Sequence, residues 1–413
     1  MSILYSNISS CRLCGSNDLE EILSFDNFAL TGIFPASDIH NIPRGPMTLM
    51  KCIGDDACGL VQLKESYQGD LMYSDNYGYR SGLNNAMSQH LKDSSEYLLG
   101  FFDSDQSLNV LDIGSNDGTF LGYYPKNHKR IGIDPTIKKF ISFYDEGIIT
   151  IPKFFNLKNY HEIMSDKLDI ISTFSMFYDL EDPLKFAQDI EKILSDDGIW
   201  CSEQSYLPLM IESLSFDTIC QEHIEYYTLK QFKWIADKVG LKIIDISSND
   251  VNGGSFRITF AKKYSKHQVN YQKINHFLEY EEKNNFNEIS TLLKFKKDIH
   301  NWKENFLNKV EHIGRENQIY GLGASTKGNT LLQFCNFTDK DISLIGEVNK
   351  DKFNCYTPGT NIKIIDENEI IKLKPNYLVI LPWHFKNNFL KQKKLKGINL
   401  IFPLPNLEII KID

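Results

Sequence analysis

The sequence predicts a three-domain α/β protein: a zinc-binding N-terminal domain (1–70), a central Rossmann-like domain (71–263) and a C-terminal Rossmann-like domain (264–413). Three observations lead to this prediction. The length of 413 residues corresponds to roughly three domains of about 150 residues. Four of the eight cysteines lie within the first 58 residues. Two segments, beginning near Leu108 and Gln318, have the order strand, glycine loop, helix that is typical of parallel sheets.

Charge and hydropathy exclude several classes of protein. Asp and Glu outnumber Lys and Arg by 54 to 45, so the net charge of -9 does not favour nucleic acid or an anionic membrane as a partner. No run approaches the roughly 20 apolar residues of a membrane span, and the first ten residues lack the pattern of a secretory signal. We therefore expect a cytoplasmic protein, monomeric or homodimeric, with a small diffusible substrate.

The N-terminal cysteines form two close pairs, Cys11 with Cys14 and Cys52 with Cys58. Two such pairs about 40 residues apart predict a structural zinc site with four thiolate ligands and no open position for chemistry. The second pair has five intervening residues instead of two, so unrelated core cysteines are the alternative. A zinc ribbon that reads nucleic acid is disfavoured because few basic residues lie between the pairs.

The strands of the central domain are predicted at 108–114, 130–134, 167–174 and 198–203, with two more at 242–246 and 255–260. Because helical stretches alternate with them, we expect a parallel, doubly wound sheet. The polar stretch from Lys262 to Asn308 predicts a long exposed helix at a domain boundary. Further strands at 342–347, 377–381 and 400–402 indicate a second α/β domain.

The loop after the first central strand predicts a site for S-adenosylmethionine. Its glycines lie where a strand must turn sharply, and an acidic residue ends the next strand, where a carboxylate can accept both ribose hydroxyls. A dinucleotide loop would have a middle glycine where this loop has acid and amide groups, and a purely structural turn is the remaining alternative. The predicted cofactor-binding residues are Asp112, Gly114, Asn116, Asp117, Gly118 and Asp134.

The segment from Asp217 to Tyr227 combines a histidine, two acids and two tyrosines at the catalytic edge of the predicted sheet. His223 is a candidate general base, and a neighbouring carboxylate could fix its ring. An ordinary hydrogen-bonded histidine is the alternative. The segment from Tyr73 to Ser81 has aromatic and hydroxyl groups suited to a sugar face, although it could also be a packed linker.

The second glycine loop, Gly321 to Gly328, predicts a phosphate site in the C-terminal domain. Its amides can face an anion at the start of a helix, and Lys327 adds a full charge. A packing turn is the alternative. An NAD-dependent oxidoreductase is disfavoured because the loop lacks the third glycine of the dinucleotide motif.

These residues together resemble the bacterial nucleotide-sugar C-methyltransferases, which make branched-chain deoxysugars. The resemblance runs almost end to end and rests on the cysteine pairs and on motifs at 77–81 (YGYRS), 111–121 (LDIGSNDGTFL), 221–227 (QEHIEYY), 252–257 (NGGSFR), 327–332 (KGNTLL), 381–384 (LPWH) and 402–405 (FPLP).

The resemblance implies methyl transfer to a carbon beside a ketone, typically C3 of a 4-keto-6-deoxyhexose on a nucleoside diphosphate. It implies that His223 is the base, that Glu222 orients it and that Tyr77 or Tyr79 bonds the sugar. An O-methyltransferase is the alternative. Relatives often carry other residues at Tyr178, Cys220 and Gln221, positions expected to face the sugar. The expected substrate-binding residues are Arg80, Ser81, Tyr178, Lys327, Gly328, Asn329 and His384.

Overall fold

The structure is a computed structural model that describes residues 4–37, 41–72 and 79–412. Within these ranges the chain forms four β-sheets with helices packed around the two larger ones. None of the helices found there is both long and apolar enough to cross a membrane.

The N-terminal domain consists mainly of short antiparallel strands. Its sheet has the order β11-β4-β3-β2, and a separate pair joins β1 to β5. The strand β11 belongs to the central domain in sequence, so one edge of this sheet is completed from a distant part of the chain. The elements are β1 (Tyr5–Asn7), β2 (Leu19–Ala29), β3 (Arg44–Cys52), β4 (Val61–Leu63), β5 (Glu65–Tyr67), α1 (Gly69–Met72) and β11 (Glu225–Tyr226).

The central domain has a seven-stranded sheet with the order β12-β13-β10-β9-β6-β7-β8. Its elements are α2 (Asn85–Leu99), β6 (Asn109–Ile113), α3 (Thr119–Gly122), β7 (Lys129–Ile133), α4 (Ile137–Phe140), β8 (Ile149–Ile151), α5 (Leu157–His161), β9 (Leu168–Phe174), α6 (Pro183–Ile193), β10 (Leu194–Ser205), α7 (Leu207–Glu212), α8 (Leu229–Val239), β12 (Leu241–Asn249) and β13 (Ser255–Lys262). Apolar side chains on both faces bury this sheet between helices, which explains its nearly continuous hydrophobic strands.

The prediction of a fully parallel central sheet is wrong at one edge. β13 is antiparallel to both β10 and β12, whereas β6 to β10 run parallel as expected. The connection between β12 and β13 covers only residues 250–254, which is too short for the crossover that a parallel pair requires. This short connection becomes part of the candidate site described below.

The C-terminal domain has a six-stranded sheet with the order β16-β15-β14-β17-β18-β19, in which only β19 is antiparallel. Its elements are α9 (Tyr271–Lys283), α10 (Ile289–Gly314), β14 (Ile319–Leu322), α11 (Thr326–Phe334), β15 (Ile345–Glu347), β16 (Ile364–Asp366), α12 (Glu367–Lys372), β17 (Tyr377–Ile380), α13 (Lys386–Leu390), β18 (Asn399–Phe402) and β19 (Glu408–Lys411).

The polar stretch that precedes this sheet is not one long exposed helix. It forms α9 and α10, separated by residues 284–288, and α10 buries one apolar face that includes Phe295, Ile299, Trp302 and Phe306. The spacing of these residues follows the helical period, so the helix is amphipathic despite its many lysines and asparagines. The Trp302 indole also donates a hydrogen bond to the carbonyl oxygen of Pro403 at 2.6 Å.

The end of β2 connects the N-terminal domain to the C-terminal domain. The backbone N–H of Ala29 donates to Oε1 of Gln333 at 2.7 Å, and Nε2 of Gln333 donates back to the carbonyl oxygen of Ala29 at 3.1 Å. Ala29 is fully buried and pairs with Arg44 of β3 on one side only, because β2 is the edge strand of its sheet. The reciprocal amide pair therefore takes the place of a strand on the other side.

The residues that follow also contact the central domain. The N–H and hydroxyl of Thr31 lie 3.1 and 3.0 Å from Oε1 of Gln221, and Nδ2 of Asn329 donates to the carbonyl oxygen of Thr31 at 2.7 Å. We call residues 29–32 the interdomain junction because side chains from both other domains bind its backbone.

We predict that Gln333→Ala will destabilise the protein. The buried N–H of Ala29 would lose its acceptor, which costs about 1–3 kcal/mol. Thermal unfolding should show a midpoint several degrees lower than the wild type, whereas Gln272→Ala, an exposed change in the same domain, should leave it almost unchanged. Equal midpoints for Gln333→Ala and the wild type would contradict the role given to this amide pair.

Candidate active site and metal centre

The four N-terminal cysteines meet in one cluster, as predicted. Their sulfur atoms all lie within 4.8 Å of one another, and the distances from Cys11 to Cys58 and from Cys14 to Cys52 are both 3.5 Å. Tetrahedral zinc with bonds of about 2.3 Å requires sulfur atoms about 3.8 Å apart. The cluster therefore fits a closed zinc site, and it leaves no coordination position for a substrate.

The local backbone conformation brings the four thiols together. Cys11 and Cys14 flank a tight turn, Cys52 ends β3, and Cys58 directly precedes Gly59, whose φ of +77° lets the backbone turn around the cluster. Hydrogen bonds from the Cys52 and Cys58 thiols lower the pKa of Cys11, which favours the thiolate, the form that binds zinc.

The predicted cofactor loop forms one side of a cavity with about 1070 Å³ of empty space, part of it open to solvent. Gly114 at the end of β6 has a φ of +79°, and a Cβ atom there would lie 3.1 Å from the Met176 side chain. Gly118 has a φ of +75° but does not line the cavity. The lining of the cavity includes Asp112, Gly114, Ser115, Asn116, Asp117, Asp134, Phe154, Ser175, Met176 and Asp179.

Asp134 lies at the end of β7, as the sequence indicated. Its Oδ2 accepts the N–H of Asn116 at 2.9 Å, while its Oδ1 accepts the N–H and the hydroxyl of Thr136, both at 2.6 Å. A carboxylate has about four acceptor positions, so capacity remains for a ribose hydroxyl. The residue therefore both shapes the loop and faces the cavity.

Asp112 contributes a second carboxyl group to the cavity. It is buried and accepts a hydrogen bond from the Ser172 hydroxyl at 2.6 Å. Burial, with a smaller contribution from the nearby Asp134, raises the pKa of Asp112 to about 7. A cationic ligand group would favour the ionised form, which suits an amino group or a sulfonium better than a phosphate.

Ser81 lines this cavity, and Arg80 lies beside it against the cofactor loop. The N–H of Ser81 donates to Oδ1 of Asn116 at 3.0 Å, and Nε of Arg80 lies 3.4 Å from Oδ2 of Asp117. The Arg80 guanidinium also covers the ring of Phe143 at 3.9 Å. The two residues expected to bind the sugar therefore hold their segment against the cofactor loop. Sequence reasoning could not anticipate these contacts because they link residues some 35 positions apart.

The structure describes only one of the two tyrosines expected to bond the sugar. Tyr77 lies outside the described residues, so its role stays a prediction. Tyr79 is 46% exposed and lines the cavity, while its carbonyl oxygen accepts a hydrogen bond from Nδ2 of Asn116 at 3.2 Å.

His223 lies in the loop between α7 and β11 and has a defined tautomer. Its Nδ1 is 2.9 Å from the carbonyl oxygen of Thr218, and because a carbonyl oxygen only accepts hydrogen bonds, Nδ1 carries the proton. Nε2 therefore keeps its lone pair. Burial and the ammonium of Lys327 lower the pKa of His223 to about 4, although the Thr218 bond opposes them. At neutral pH the ring is an uncharged base.

Tyr178 links this base to the cofactor cavity. Its ring centroid lies 4.2 Å from that of His223. The neighbouring residues Ser175, Met176 and Asp179 line the cavity, so a single short loop borders both places. Tyr178 was expected to face the sugar, and that role stays a prediction.

Glu222 does not orient His223 in the way we expected. Its Oε2 lies 3.4 Å from the Thr31 hydroxyl, and a Cβ atom placed on Gly32 would lie only 2.3 Å from its Oε1. The side chain thus points at the interdomain junction, and the Thr218 carbonyl performs the orienting role instead. Burial raises the pKa of Glu222.

The positions at which relatives often differ also have unexpected surroundings. Gln221 was expected to face the sugar, but it is fully buried and bonds the backbone of Ala29 and Thr31. Cys220 is fully buried as well, and burial raises the pKa of its thiol well above the usual range. Gln221 is therefore a structural residue of the junction.

The C-terminal domain contacts the central domain near His223. The Lys327 ammonium donates to the backbone carbonyl of Asn252, in the short connection between β12 and β13. The Trp383 indole donates to Oδ2 of Asp217 at 2.7 Å, across the same interface. Burial and Lys327 lower the pKa of His384 to about 3. We call the part of the interface formed by Tyr178, Asp217, His223, Asn252, Lys327, Trp383 and His384 the interdomain chamber.

Two buried atoms in this chamber have no protein partner in the described part of the chain: Oδ1 of Asp217 and Nδ1 of His384. Such atoms are costly unless a ligand or water binds them. Asp217 and Asn252 belong to sequence motifs, but the sequence predicts no function for either residue. The sequence feature that could have identified Asn252 is its position before two glycines. In the structure its φ is +54°.

The second glycine loop packs tightly. A Cβ atom on Gly323 would lie 2.5 Å from Pro382, and one on Gly328 would lie 2.9 Å from Cβ of Leu381. Two of the amides expected to face an anion are occupied: that of Ala324 donates to Glu347 at 2.7 Å and that of Gly328 to Oγ of Ser325 at 3.0 Å.

The residues that follow this loop also have structural roles. Asn329, expected to bind the substrate, bonds Thr31 in the junction. Gly328 provides space for Leu381. The alternative interpretation, a packing turn, thus accounts for much of this motif, and only Lys327 of its three expected substrate residues borders the chamber.

Three family models match successive parts of the chain: a zinc binding domain over residues 11–73, a methyltransferase domain over 83–246 and a C-methyltransferase C-terminal domain over 250–405. The C-methyltransferase NovU of Streptomyces niveus is 24% identical over 418 residues, an alignment that covers 98% of each protein.

Solved structures give weaker similarities. The complex of the Haloferax volcanii Trm112 activator with a methyltransferase matches 43% of this chain and 94% of the other at 12% identity, with a TM-score of 0.35. The plantazolicin methyltransferase BpumL, solved with a pentazolic desmethylPZN analogue and S-adenosylhomocysteine, matches 42% of this chain and 83% of its own at 14% identity, with a TM-score of 0.34.

We predict one tightly bound zinc ion per chain. Cys58→Ser should release it and lower the thermal midpoint, because the folding energy of such a domain depends on the metal. Elemental analysis of the purified protein measures the zinc content, and Cys355→Ser, in the C-terminal domain, serves as the control. A Cys58→Ser protein with full zinc content and an unchanged midpoint would contradict this assignment.

We propose Asp134 as the ribose ligand and predict that Asp134→Ala weakens binding of S-adenosylmethionine more than a hundredfold. The loss of a ribose hydrogen bond to a charged acceptor, together with the Asn116 and Thr136 bonds that shape the loop, costs on the order of 3 kcal/mol. Isothermal calorimetry measures the affinity, with Asp339→Ala on the C-terminal domain as the control. Unchanged affinity in Asp134→Ala would reject the assignment.

Proposed function

We propose that this chain, which is an S-adenosylmethionine-dependent C-methyltransferase with a zinc-binding domain, methylates a keto sugar carried on a nucleoside diphosphate. The acceptor would be the carbon next to the ketone, most simply C3 of a 4-keto-6-deoxyhexose. This substrate and this position rest on the resemblance of the sequence motifs together with the chemistry of the interdomain chamber.

The observation that carries the proposal is an uncharged histidine beside the cofactor cavity. The loop from Ser175 to Asp179 lines the cavity, and Tyr178 within it packs against His223. Nε2 of His223 has its lone pair available because Nδ1 is protonated and bonded to Thr218. Carbon methylation needs a base in this position, because a carbon that bears hydrogen is no nucleophile until its proton leaves.

The proposed reaction has two parts. S-adenosylmethionine supplies an electrophilic methyl group attached to a sulfonium. Nε2 of His223 removes the proton from the carbon beside the ketone, and the electron pair of that C–H bond delocalises onto the ketone oxygen as an enediolate. When this carbon bonds the methyl group, the ketone re-forms, the S–CH₃ pair stays on sulfur, and His223 later gives its proton to solvent.

For the cofactor, we propose Asp112, Gly114, Asn116, Asp117 and Asp134 as the binding residues. These residues suit the cofactor for two reasons. Gly114 has a left-handed backbone that allows close approach to Met176, and two carboxyl groups lie at the ends of adjacent strands. Gly118 serves the loop indirectly: a Cβ atom there would lie 2.8 Å from the Tyr144 ring.

For the nucleotide sugar, we propose the crevice between the central and C-terminal domains. In the C-terminal sheet, β14 is the strand at which the order reverses, because the chain moves first to β15 and later to β17 on the opposite side. Ligands of doubly wound sheets bind at such a switch point, outside the carboxyl ends of the strands. Lys327, at the start of α11 after β14, and His384, in the segment after β17, both belong to the chamber.

The sugar hydroxyls find matching groups in the chamber. Oδ1 of Asp217 can accept a hydrogen bond, and Nδ1 of His384 can accept or donate one according to its tautomer. Burial raises the pKa of Asp217, and Lys327 opposes this effect. A ligand that fills these positions would remove the cost of two buried polar atoms without partners.

We predict that His223→Ala abolishes hydrogen exchange at the carbon beside the ketone. In heavy water without S-adenosylmethionine, the wild type should exchange this hydrogen for deuterium in a nucleotide-linked 4-keto-6-deoxyhexose, and the variant should be at least a hundredfold slower. NMR of the recovered sugar measures the exchange, and His312→Ala, an exposed change on α10, is the control. Undiminished exchange in His223→Ala would move the role to another residue.

A further inference from the structure

Lys327 is the cation of the interdomain chamber in the described part of the chain. Its side chain extends from the first turn of α11 across the interface to the carbonyl oxygen of Asn252. An ammonium has three donors, and this bond uses one of them. Two donors therefore remain for a ligand.

The ammonium is close to the groups that surround the reacting atoms. It lowers the pKa values of both His223 and His384, and it opposes the rise in the pKa of Asp217, so it acts electrostatically on all three. Burial lowers the pKa of Lys327 itself, while the Asp217 carboxylate opposes that shift. Lys327 and Asp217 thus each favour the charged form of the other, beside an uncharged histidine.

The same ammonium is also linked to the cofactor cavity. Asn252, whose carbonyl oxygen it bonds, has its Nδ2 3.5 Å from Oγ of Ser175, and Ser175 lines the cavity. Asn252 has a φ of +54° and Ser175 a φ of +51°, so both hold a left-handed backbone that surrounding contacts must enforce. Asn252 and Ser175 therefore connect the Lys327 ammonium to the cofactor cavity. The loop that holds Ser175 also holds Tyr178 against His223.

This position does not resemble a diphosphate loop. The amides of Ala324 and Gly328 already donate to Glu347 and Ser325, so they are not available to an anion beside Lys327. The glycines provide close packing against Leu381 and Pro382. The Lys327 ammonium bonds the carbonyl oxygen of Asn252 across the interface, on the side of the base.

The chemistry of the reaction requires a positive charge in this place. A base with a pKa of about 4 is weak for removing hydrogen from carbon, so the negative charge that develops on the ketone oxygen must be stabilised strongly. The ketone oxygen and the reacting carbon are attached to the same carbonyl carbon. A residue that contacts this oxygen must therefore be near the base.

Building on the proposed function, we propose that Lys327 is a catalytic residue that donates a hydrogen bond to the ketone oxygen and stabilises the enediolate, and that it does not bind the diphosphate. As His223 takes the proton, the C–H pair forms the new C=C bond and the C=O π pair moves to oxygen. Lys327 keeps its own protons throughout. The negative oxygen also offsets the repulsion between the ammonium and the newly charged imidazolium.

The test separates catalysis from nucleotide binding in Lys327→Met. Hydrogen exchange is measured at saturating nucleotide-linked keto sugar in heavy water without S-adenosylmethionine, and calorimetry measures binding of the matching nucleoside diphosphate alone. We expect exchange and kcat to fall at least a hundredfold while the Kd of the nucleoside diphosphate stays within twofold. Lys327→Arg, which keeps the charge, should recover a large part of the exchange.

A matched control is Lys303→Met, which removes another partly buried lysine of the same domain. Lys303 lies over the ring of Phe334 at 4.5 Å, and neither exchange nor Kd should change in this variant. The thermal midpoint and the affinity for S-adenosylmethionine show whether each variant is folded. Should Lys327→Met fail to fold, the comparison of Lys327→Arg with the wild type decides the question.

Two results would overturn the proposal. Exchange in Lys327→Met that equals the wild type at saturation, with the Kd of the nucleoside diphosphate raised tenfold or more, would assign the ammonium to the phosphates. Loss of exchange in Lys327→Arg to the level of Lys327→Met would show that charge is not what matters. A wild type that exchanges hydrogen in no keto sugar would instead remove the proposed function itself, and this proposal with it.

Discussion

Hydrogen bonds from side-chain amides to the backbone of the interdomain junction hold the three domains together. Gln221 of the central domain and Gln333 and Asn329 of the C-terminal domain all bind residues 29–31. Each amide donates or accepts where a strand has ended and its backbone would otherwise be buried without partners. Since Gln221 lies two residues before His223 in the same loop, and Asn329 lies two residues after Lys327 on α11, the same bonds set the two sides of the chamber against each other.

Closing the chamber changes the charges within it. Burial between two domains gives His223 and His384 their low pKa values and raises that of Asp217, and Lys327 acts on all three. These shifts would be smaller on an isolated domain, because solvent would replace the facing loops. The chemistry of the site is therefore a property of the interface more than of either Rossmann-like unit.

The sequence indicates local features well and distant contacts poorly. The cysteine cluster, the cofactor loop and Asp134 follow from short spacings and strand ends, and the structure has them where expected. Gln221 and Asn329 were misjudged because amide side chains serve ligands and backbone equally well, and their partners lie about 190 and 298 residues away. The antiparallel β13 was missed because periodicity does not reveal direction; only the short connection at 250–254 does.

The sheet of the zinc-binding domain has a consequence for how the chain is synthesised. Its strand β4 pairs on one side with β3 and on the other with β11, which the ribosome makes some 160 residues later. Until that segment emerges, the nascent N-terminal domain exposes an unpaired strand edge, the kind of surface on which chains associate wrongly. Translation thus leaves the first domain incomplete until most of the central one has been made, and the edge closes only when His223, two residues before β11, is itself being brought into place.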